Sequence, residues 1–175
     1  MGRPQKYFNS DDMAVVDQAV AVAEDVISDH YHLTFSSWGK YRYDIKTLRN
    51  LSDSEIAAEA FAQIVRLGRP DWPGGMRVGD LYRICLQDQN ILRALRRDAS
   101  LQLLPLLTYV VTHELIHVVR FYKFHQFFLA NDEEREVEES RVHQLTYKLL
   151  RPVGIKNMPV IFEFYENHRL AVDPN

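Results

Sequence analysis

The sequence predicts a single, mostly helical α+β domain with a short sheet ahead of its most apolar helix. Its 175 residues, 46% of them hydrophobic, are enough to build one domain of ordinary size around a core. Apolar residues recur at helical spacing in several long segments, whereas two shorter segments between them alternate as strands do. Because these strands fall together between helices, the pattern is typical of an α+β domain.

Composition and charge exclude several classes of protein. The formal net charge of −3 provides no basic field for phosphates, so we expect no nucleic acid partner. Cys85 is the only cysteine and the first residues lack an apolar signal core, so we expect a cytoplasmic protein. Polar residues interrupt the longest apolar stretch, residues 101–119, so we expect no membrane span. The oligomeric state stays open.

The first third of the chain predicts two helices with strands between them. Asp11 and Asp12 suit the N-terminus of a helix over about residues 13–29. The segment YHLTF is compatible with a short strand, and the alternating segment KYRYDIKTL predicts another. Ser52 and Glu55 have the spacing of a capping box, which predicts a second helix that Gly68 ends.

The middle of the chain predicts a loop, a strand and the central helix. Two prolines and three glycines make GRPDWPGG a loop, and the alternating DLYRICLQD predicts a strand after it. NILRALRRD predicts a short helix or a helical turn. The central helix then begins at Ser100 or Pro105 and runs to about Phe128.

A second long helix follows the central one. Asn131 or Asp132 caps its N-terminus, and Pro152 and Gly154 close it. The tail segment MPVIFEFYENHRL fits a strand and a short helix equally well, so the pattern leaves both open.

Residues that suit metal chemistry lie in the central helix, within the segment YVVTHELIHVVRF. His113 and His117 are one helical turn apart, so both imidazoles can point at one metal ion, and zinc accepts such ligands. Glu114 follows the first histidine and can take a proton from a metal-activated water and pass it to a leaving amine. The pattern H-E-x-x-H therefore predicts a hydrolytic zinc site.

The flanks of this motif resemble the extended zincin signature. Val110 stands three residues before the first histidine, uncharged residues surround the pair, and Val118 and Val119 follow the second histidine. The helix is apolar around nearly its whole girth, so its two histidines and glutamate need partners. A polar cluster satisfied inside a helical core is the alternative to a metal and its water.

Zincin types differ in their third metal ligand. In the metzincin pattern H-E-x-x-H-x-x-G-x-x-H, Arg120 and Lys123 occupy the glycine and last histidine positions, so that type is excluded. His125 lies about 12 Å further along the same predicted helix than His117, which is too far to share the metal. It fits aromatic packing or a substrate pocket better.

The gluzincin type takes a glutamate from the next helix. Glu138 falls in the middle of the apolar face of that helix, and Glu134 falls at its margin. A glutamate on a buried face needs a cation or a hydrogen-bonding partner. We therefore predict Glu138 as the third ligand, with Glu134 and then Asp132 as alternatives. Glu136 and Glu139 point well away from that face, and Glu133 is the remaining glutamate of the acidic run. A solvated surface run is the alternative interpretation for Glu138.

The same helix resembles the ligand helix of the compact gluzincins related to bacterial regulatory metallopeptidases, where the pattern is roughly E-R-E-A-N-x-F-A. Here EESRV begins at Glu138, with Val142 at the aromatic position and Ser140 in place of Asn or Asp. The family's Leu-Leu-Met-Pro ending appears as LLRP, about one turn late. The resemblance implies that Glu138 completes the site.

A donor to the oxyanion of the tetrahedral intermediate is a further requirement of peptide hydrolysis. His143 could serve, but on an ideal helix it points about 140° away from Glu138, which favours a surface or structural role. Tyr109, Tyr122 and Tyr147 are further candidates, and the sequence does not separate them.

A di-iron site is a weaker interpretation of the same motif. Glu114 and His117 also form E-x-x-H, but ferritin-like sites need two such motifs on separate helices. No second one exists, since Glu139 and His143 are one residue too far apart.

The sequence thus predicts a zinc metallopeptidase of gluzincin type acting on a peptide or protein substrate. We expect one domain, with N-terminal helices and a strand in residues 1–70, the metal-site core in residues 76–152 and a tail in residues 153–175. By analogy with zincin folds, Leu81–Leu86 should be an edge strand along the substrate groove. The alternative is a non-catalytic, zinc-stabilised binding or regulatory module, and a metal-free interaction protein is the third hypothesis.

Overall fold

A computed structural model describes residues 5–67, 81–123 and 130–172, with side chains described as far as His168. Within them the α+β class predicted from the sequence is confirmed. The helices are α1 (Ser10–Tyr31), α2 (Phe35–Trp38), α3 (Asp88–Arg97), α4 (Leu103–Tyr122), α5 (Asp132–Leu150) and α6 (Met158–Val172). The strands are β1 (Tyr43–Lys46), β2 (Ala62–Leu67) and β3 (Leu81–Leu86), and short 3₁₀ turns occupy Leu48–Asn50, Asp53–Glu55 and Arg151–Val153.

Helix α1 begins three residues earlier than predicted, because Asn9 caps it. The Asn9 side chain accepts from the Asp12 N–H, and the Asp12 carboxylate accepts from the Asn9 N–H, which forms a capping box. The strand predicted for YHLTF is wrong. Thr34 and Ser37 form a second capping box there, and their side-chain bonds hold the backbone in the single turn of α2.

The helix predicted after Ser52 is also wrong. The Ser52–Glu55 capping box forms, but it caps only one 3₁₀ turn. Gln87 then donates to the Glu55 carbonyl and accepts from the Ala57 N–H, which holds the following chain away from helical geometry. Residues 62–67 pair with β3 instead, so tertiary pairing overrides the local helical pattern.

The sheet has the order β1-β3-β2, so β3 is its central strand. It pairs in parallel with β1 and antiparallel with β2, with Ile84 opposite both Ile45 and Ile64. The expectation that Leu81–Leu86 is an edge strand is therefore wrong. Among the described residues, β1 and β2 are the outer strands.

Helix α4 is the core of the fold, and it packs along α1. Ala19, Ala23 and Ile27 of α1 are fully buried, and their small or branched side chains allow close approach to α4. Pro105 lies in the first turn of α4, as predicted. By length and composition alone, α4 could cross a membrane, but the core helix of a soluble protein has the same properties. In its most apolar 18-residue segment, 78% is buried inside the protein.

The last two helices complete the described structure. Asn131 caps α5 with Glu134 as its capping-box partner, and Gly154, with φ of 72°, ends the turn that follows the helix. The tail is helical, which decides between the two structures that its sequence allowed. The predicted end of the central helix near Phe128 is wrong, because α4 ends at Tyr122 with Lys123 as its C-cap. The predicted loop at residues 68–75 and His125 lie outside the described residues.

Candidate metal centre

Helix α4 presents His113 and His117 on one face, as their spacing predicts. Both are buried, with 7% and 4% of their surfaces exposed, and their ring centroids are 4.8 Å apart. The two Nε2 atoms lie 3.2 Å from each other. The two imidazoles therefore direct their Nε2 atoms at a common region.

A carboxylate from α5 meets both histidines, and it belongs to Glu139. Its Oε2 lies 3.1 Å from His113 Nε2 and its Oε1 lies 3.0 Å from His117 Nε2. Partial burial would raise the pKa of Glu139, but hydrogen bonds from the two imidazoles outweigh it and hold the pKa well below its usual range. Glu139 keeps 52% of its side chain exposed, so the cluster is open on this side.

Glu138 does not join the histidines, in contrast to the prediction from the sequence. Its side chain is buried, with 7% exposed, as the helical face indicated. Its partners are arginines: Arg120 of α4 donates from Nε, and Arg141 donates from Nη1 at 2.6 Å. The buried Glu138 carboxylate does have cationic partners, but they are guanidinium groups. Glu139 takes the place beside the histidines.

His143 lies in the same cluster, although the sequence analysis favoured a surface role. Its ring centroid is 4.3 Å from that of His113, and its Nε2 is 3.8 Å from Glu139 Oε2. Its Nδ1 is 2.7 Å from the Tyr109 hydroxyl. Glu139 and His143 are four residues apart on one helix, so the spacing that finds the first histidine pair would also have placed these two together.

These donors form a group that could hold a metal ion. One ligand atom each from His113, Glu139 and His143 lies within 4.8 Å of the others, and His117 adds its Nε2 within 3.2 Å of two of these residues. Three nitrogen donors and one carboxylate are ligands that zinc and other transition metals accept.

Glu114 is half-buried beside this group. Burial raises the pKa of its carboxyl, while the charges of His113 and His117 oppose that rise. The charges of His113 and His117 also lower the pKa of Glu139. Glu114 and Glu139 therefore interact with the same pair of imidazoles, but the pKa of Glu114 is raised and that of Glu139 is lowered.

The remaining candidates from the sequence lie elsewhere. Glu134 is exposed and its carboxylate accepts from the Asn131 N–H, while Asp132 is exposed in the first turn of α5. Tyr122 donates to the Arg42 carbonyl, and the half-exposed Tyr147 packs against a ring of α6. Tyr109, in contrast, contacts the cluster at His143 and His113.

An aromatic residue that the sequence analysis did not single out also borders the cluster. Tyr165 of α6 stacks on Tyr109 with 4.1 Å between ring centroids, and its centroid lies 5.5 Å from that of His143. Burial raises the pKa of the Tyr165 phenol well above its usual value. No local motif marks this residue, because only the packing of α6 against α4 brings it here.

Comparison with known proteins identifies no relative of this chain. No protein-family model matches it, and neither do the curated proteins or the solved structures compared.

Proposed function

We propose that the protein is a zinc-dependent hydrolase of peptide bonds, with His113, His117 and Glu139 as its metal ligands. The observation that carries the proposal is the position of the Glu139 carboxylate within 3.1 Å of both histidine Nε2 atoms. The resemblance of the α4 motif to the zincin signature supports the same interpretation, with the third ligand one residue later than the sequence predicted.

The spacing of the donor atoms supports zinc. In a tetrahedral site, donors about 2.0–2.1 Å from the metal lie roughly 3.3–3.4 Å from one another. The two histidine Nε2 atoms are 3.2 Å apart, and each lies 3.0–3.1 Å from a different oxygen of the Glu139 carboxylate, slightly less than that spacing. Three protein ligands with an exposed side also match a catalytic site, which keeps one position open.

Each neighbouring side chain has a role in this proposal. Zinc bound there would supply a Lewis acid that polarises a carbonyl and lowers the pKa of water. Glu114 accepts the proton of the attacking water and delivers it to the leaving amine. His143, oriented by the Tyr109 hydroxyl, donates a hydrogen bond to the carbonyl oxygen as charge develops on it.

The sheet offers a place for an extended substrate. β2 is an outer strand among the described residues, and it contacts α4, which carries the histidines. A peptide added along β2 would use main-chain hydrogen bonds, as in other strand-addition complexes. The substrate is accordingly a peptide or an extended segment of a protein.

A non-catalytic, zinc-stabilised module is the second candidate, and the position of His143 favours it. If His143 moved closer, His113, His117, Glu139 and His143 would close the site with four protein ligands, as in structural zinc sites. The two functions therefore differ in whether His143 binds the metal.

The first test is the zinc content of the purified protein combined with a peptide-library assay. We expect about one zinc per chain, bound by the three ligands, and hydrolysis of at least one library peptide. Glu114→Gln should retain zinc and lose about 10²–10⁴-fold in hydrolysis, because it removes the general base. His113→Ala should lose both zinc and activity.

The controls separate the two candidates. If the protein is the hydrolase with three ligands, the His143→Ala variant should retain zinc. If it is the module whose site is closed by four ligands, the same variant should lose zinc. A wild-type protein that binds no zinc, even when zinc is supplied during expression, contradicts both candidates and leaves the histidines as a polar cluster within the helical core.

A further inference from the structure

A cavity of about 600 Å³ lies between α3 and α6, and we refer to it as the α3–α6 cavity. Its size is within the range of small-ligand sites. Helix α3 lines one side of it with Arg93, Ala94 and Arg97, and helix α6 lines the other with Val160, Phe164 and Tyr165.

Tyr165 connects this cavity to the metal cluster. The residue lines the α3–α6 cavity, and its ring also stacks on Tyr109 and lies 5.5 Å from the ring of His143. His143 in turn lies 4.3 Å from His113, measured between ring centroids. Tyr165 is therefore a side chain that the α3–α6 cavity and the cluster share.

The cavity also lies beside the proposed path of the substrate. Phe61 directly precedes β2, and its ring lies 6.1 Å from that of Phe164 and 6.4 Å from that of Tyr165. A chain laid along β2 toward its first residue would reach this aromatic group. A side chain of that peptide could then enter the cavity.

The lining of the cavity indicates which side chain it suits. The apolar residues are half-buried and form its interior: Phe61, Ala94, Val160, Phe164 and Tyr165. Charged residues lie at the rim, where the positive charges of Arg93 and Arg97 are balanced by the negative charges of Asp98 and Glu163. Asn90 is buried, but its amide already donates to the Ala57 and Ala60 carbonyls. The interior therefore favours apolar bulk, and the rim has no net charge.

We propose that the α3–α6 cavity receives a large apolar or aromatic side chain of the substrate, next to the bond that is cut. This inference rests on the proposed function, since it assigns a specificity pocket to that reaction. It names the substrate class as peptides with a bulky apolar residue beside the scissile bond.

Hydroxamates of increasing length provide the test, because the hydroxamate group binds zinc and its tail explores the neighbouring space. The affinity of the zinc-loaded protein is measured by calorimetry for acetohydroxamate and for hydroxamates whose phenyl ring is carried on zero to four methylene groups. We expect at least one phenyl compound to bind about tenfold or more tightly than acetohydroxamate, as burial of a phenyl ring provides.

Two variants fill the cavity from opposite walls, and a third is their control. Ala94→Trp on α3 and Val160→Trp on α6 should each remove the gain from the phenyl ring while acetohydroxamate still binds. Ala14→Trp, at an exposed alanine of α1, should leave the gain intact. Thermal unfolding of each variant shows whether it is folded. One folded variant of the two that fill the cavity is sufficient for the test.

The outcomes separate this inference from the proposed function. Acetohydroxamate binding with no gain at any tail length overturns the role of the cavity and leaves the proposed function standing. A gain that persists in a folded Ala94→Trp or Val160→Trp variant overturns it as well. Failure of zinc to load overturns the proposed function and the cavity's role with it.

Discussion

Helix α5 carries two neighbouring glutamates whose surroundings are opposite. Glu138 is 7% exposed and contacts two arginines, whereas Glu139 is 52% exposed and contacts two histidines. We call the first group, Arg120, Glu138 and Arg141, the arginine brace. A buried carboxylate such as Glu138 thus needs charged partners on more than one side, whereas a carboxylate that meets the two histidines can stay half exposed.

The arginine brace should matter most for stability. Glu138→Ala leaves the Arg120 guanidinium, whose side chain is only 12% exposed, without its carboxylate partner. Removing one member of a buried pair typically lowers the free energy of unfolding by about 3–5 kcal/mol. Urea unfolding of the metal-free protein measures this loss.

The matched control for the brace is Glu136→Ala on the exposed side of the same helix. It should change the free energy of unfolding by no more than about 0.5 kcal/mol. Equal effects of the two substitutions would show that the brace contributes little to stability, and that Glu138 differs from its neighbours in burial alone.

Glu139 should matter most for the metal. Glu139→Ala is expected to weaken zinc binding by at least about a hundredfold, because it removes one of the ligands that share the binding free energy. Competition with a chromophoric chelator measures the affinity. The metal-free variant should also lose some stability, because the buried imidazoles of His113 and His117 lose the carboxylate they contact. The loss should be smaller than in Glu138→Ala, since half of the Glu139 side chain is exposed.

Glu138→Gln sharpens the same comparison. It keeps the shape of the side chain, so it should bind zinc within a few fold of the wild type. Should Glu138→Gln lose zinc while Glu139→Ala retains it, the ligand predicted from the sequence would be restored and the assignment made from the structure would be wrong.

Local signals predicted most of the helices. Helical spacing and N-terminal signals placed α1, α5 and the start of α4 to within a few residues, because both signals act within one element. The helix predicted for residues 52–67 is wrong for a physical reason. Their capping box is real, but the pairing of β2 with β3 and the side-chain bonds of Gln87 are contacts with distant residues.

The candidate metal centre likewise has a part that local spacing predicts and a part that depends on distant contacts. The i and i+4 spacing of His113 and His117 is enough to bring their rings together. The choice between Glu138 and Glu139 was not local, because it depends on Arg120, which takes the buried carboxylate. Tyr165 was beyond prediction, since nothing near it in the sequence indicates that α6 packs on the cluster.

A smaller effect is expected at Tyr109, a buried residue of α4 whose hydroxyl contacts His143 of α5. Tyr109→Phe removes the hydroxyl that lies 2.7 Å from His143 Nδ1, while the ring keeps its packing on Tyr165. We expect hydrolysis of the best library peptide to slow about three- to tenfold through kcat, as loss of one hydrogen bond provides. KM should change little, because the hydrogen bond from His143 forms chiefly as charge develops on the substrate.

Zinc affinity gives this prediction its second readout. Because the proposed hydrolase uses His143 as a hydrogen-bond donor and not as a metal ligand, Tyr109→Phe should leave the zinc affinity unchanged. His143→Gln, which retains an N–H donor, should recover part of the rate lost in His143→Ala. A tenfold loss of zinc affinity in Tyr109→Phe would contradict this, because the hydroxyl would then be orienting a metal ligand, as outer partners of coordinating histidines do. The open side of the cluster would in that case be closed by His143, and the non-catalytic module would replace the hydrolase.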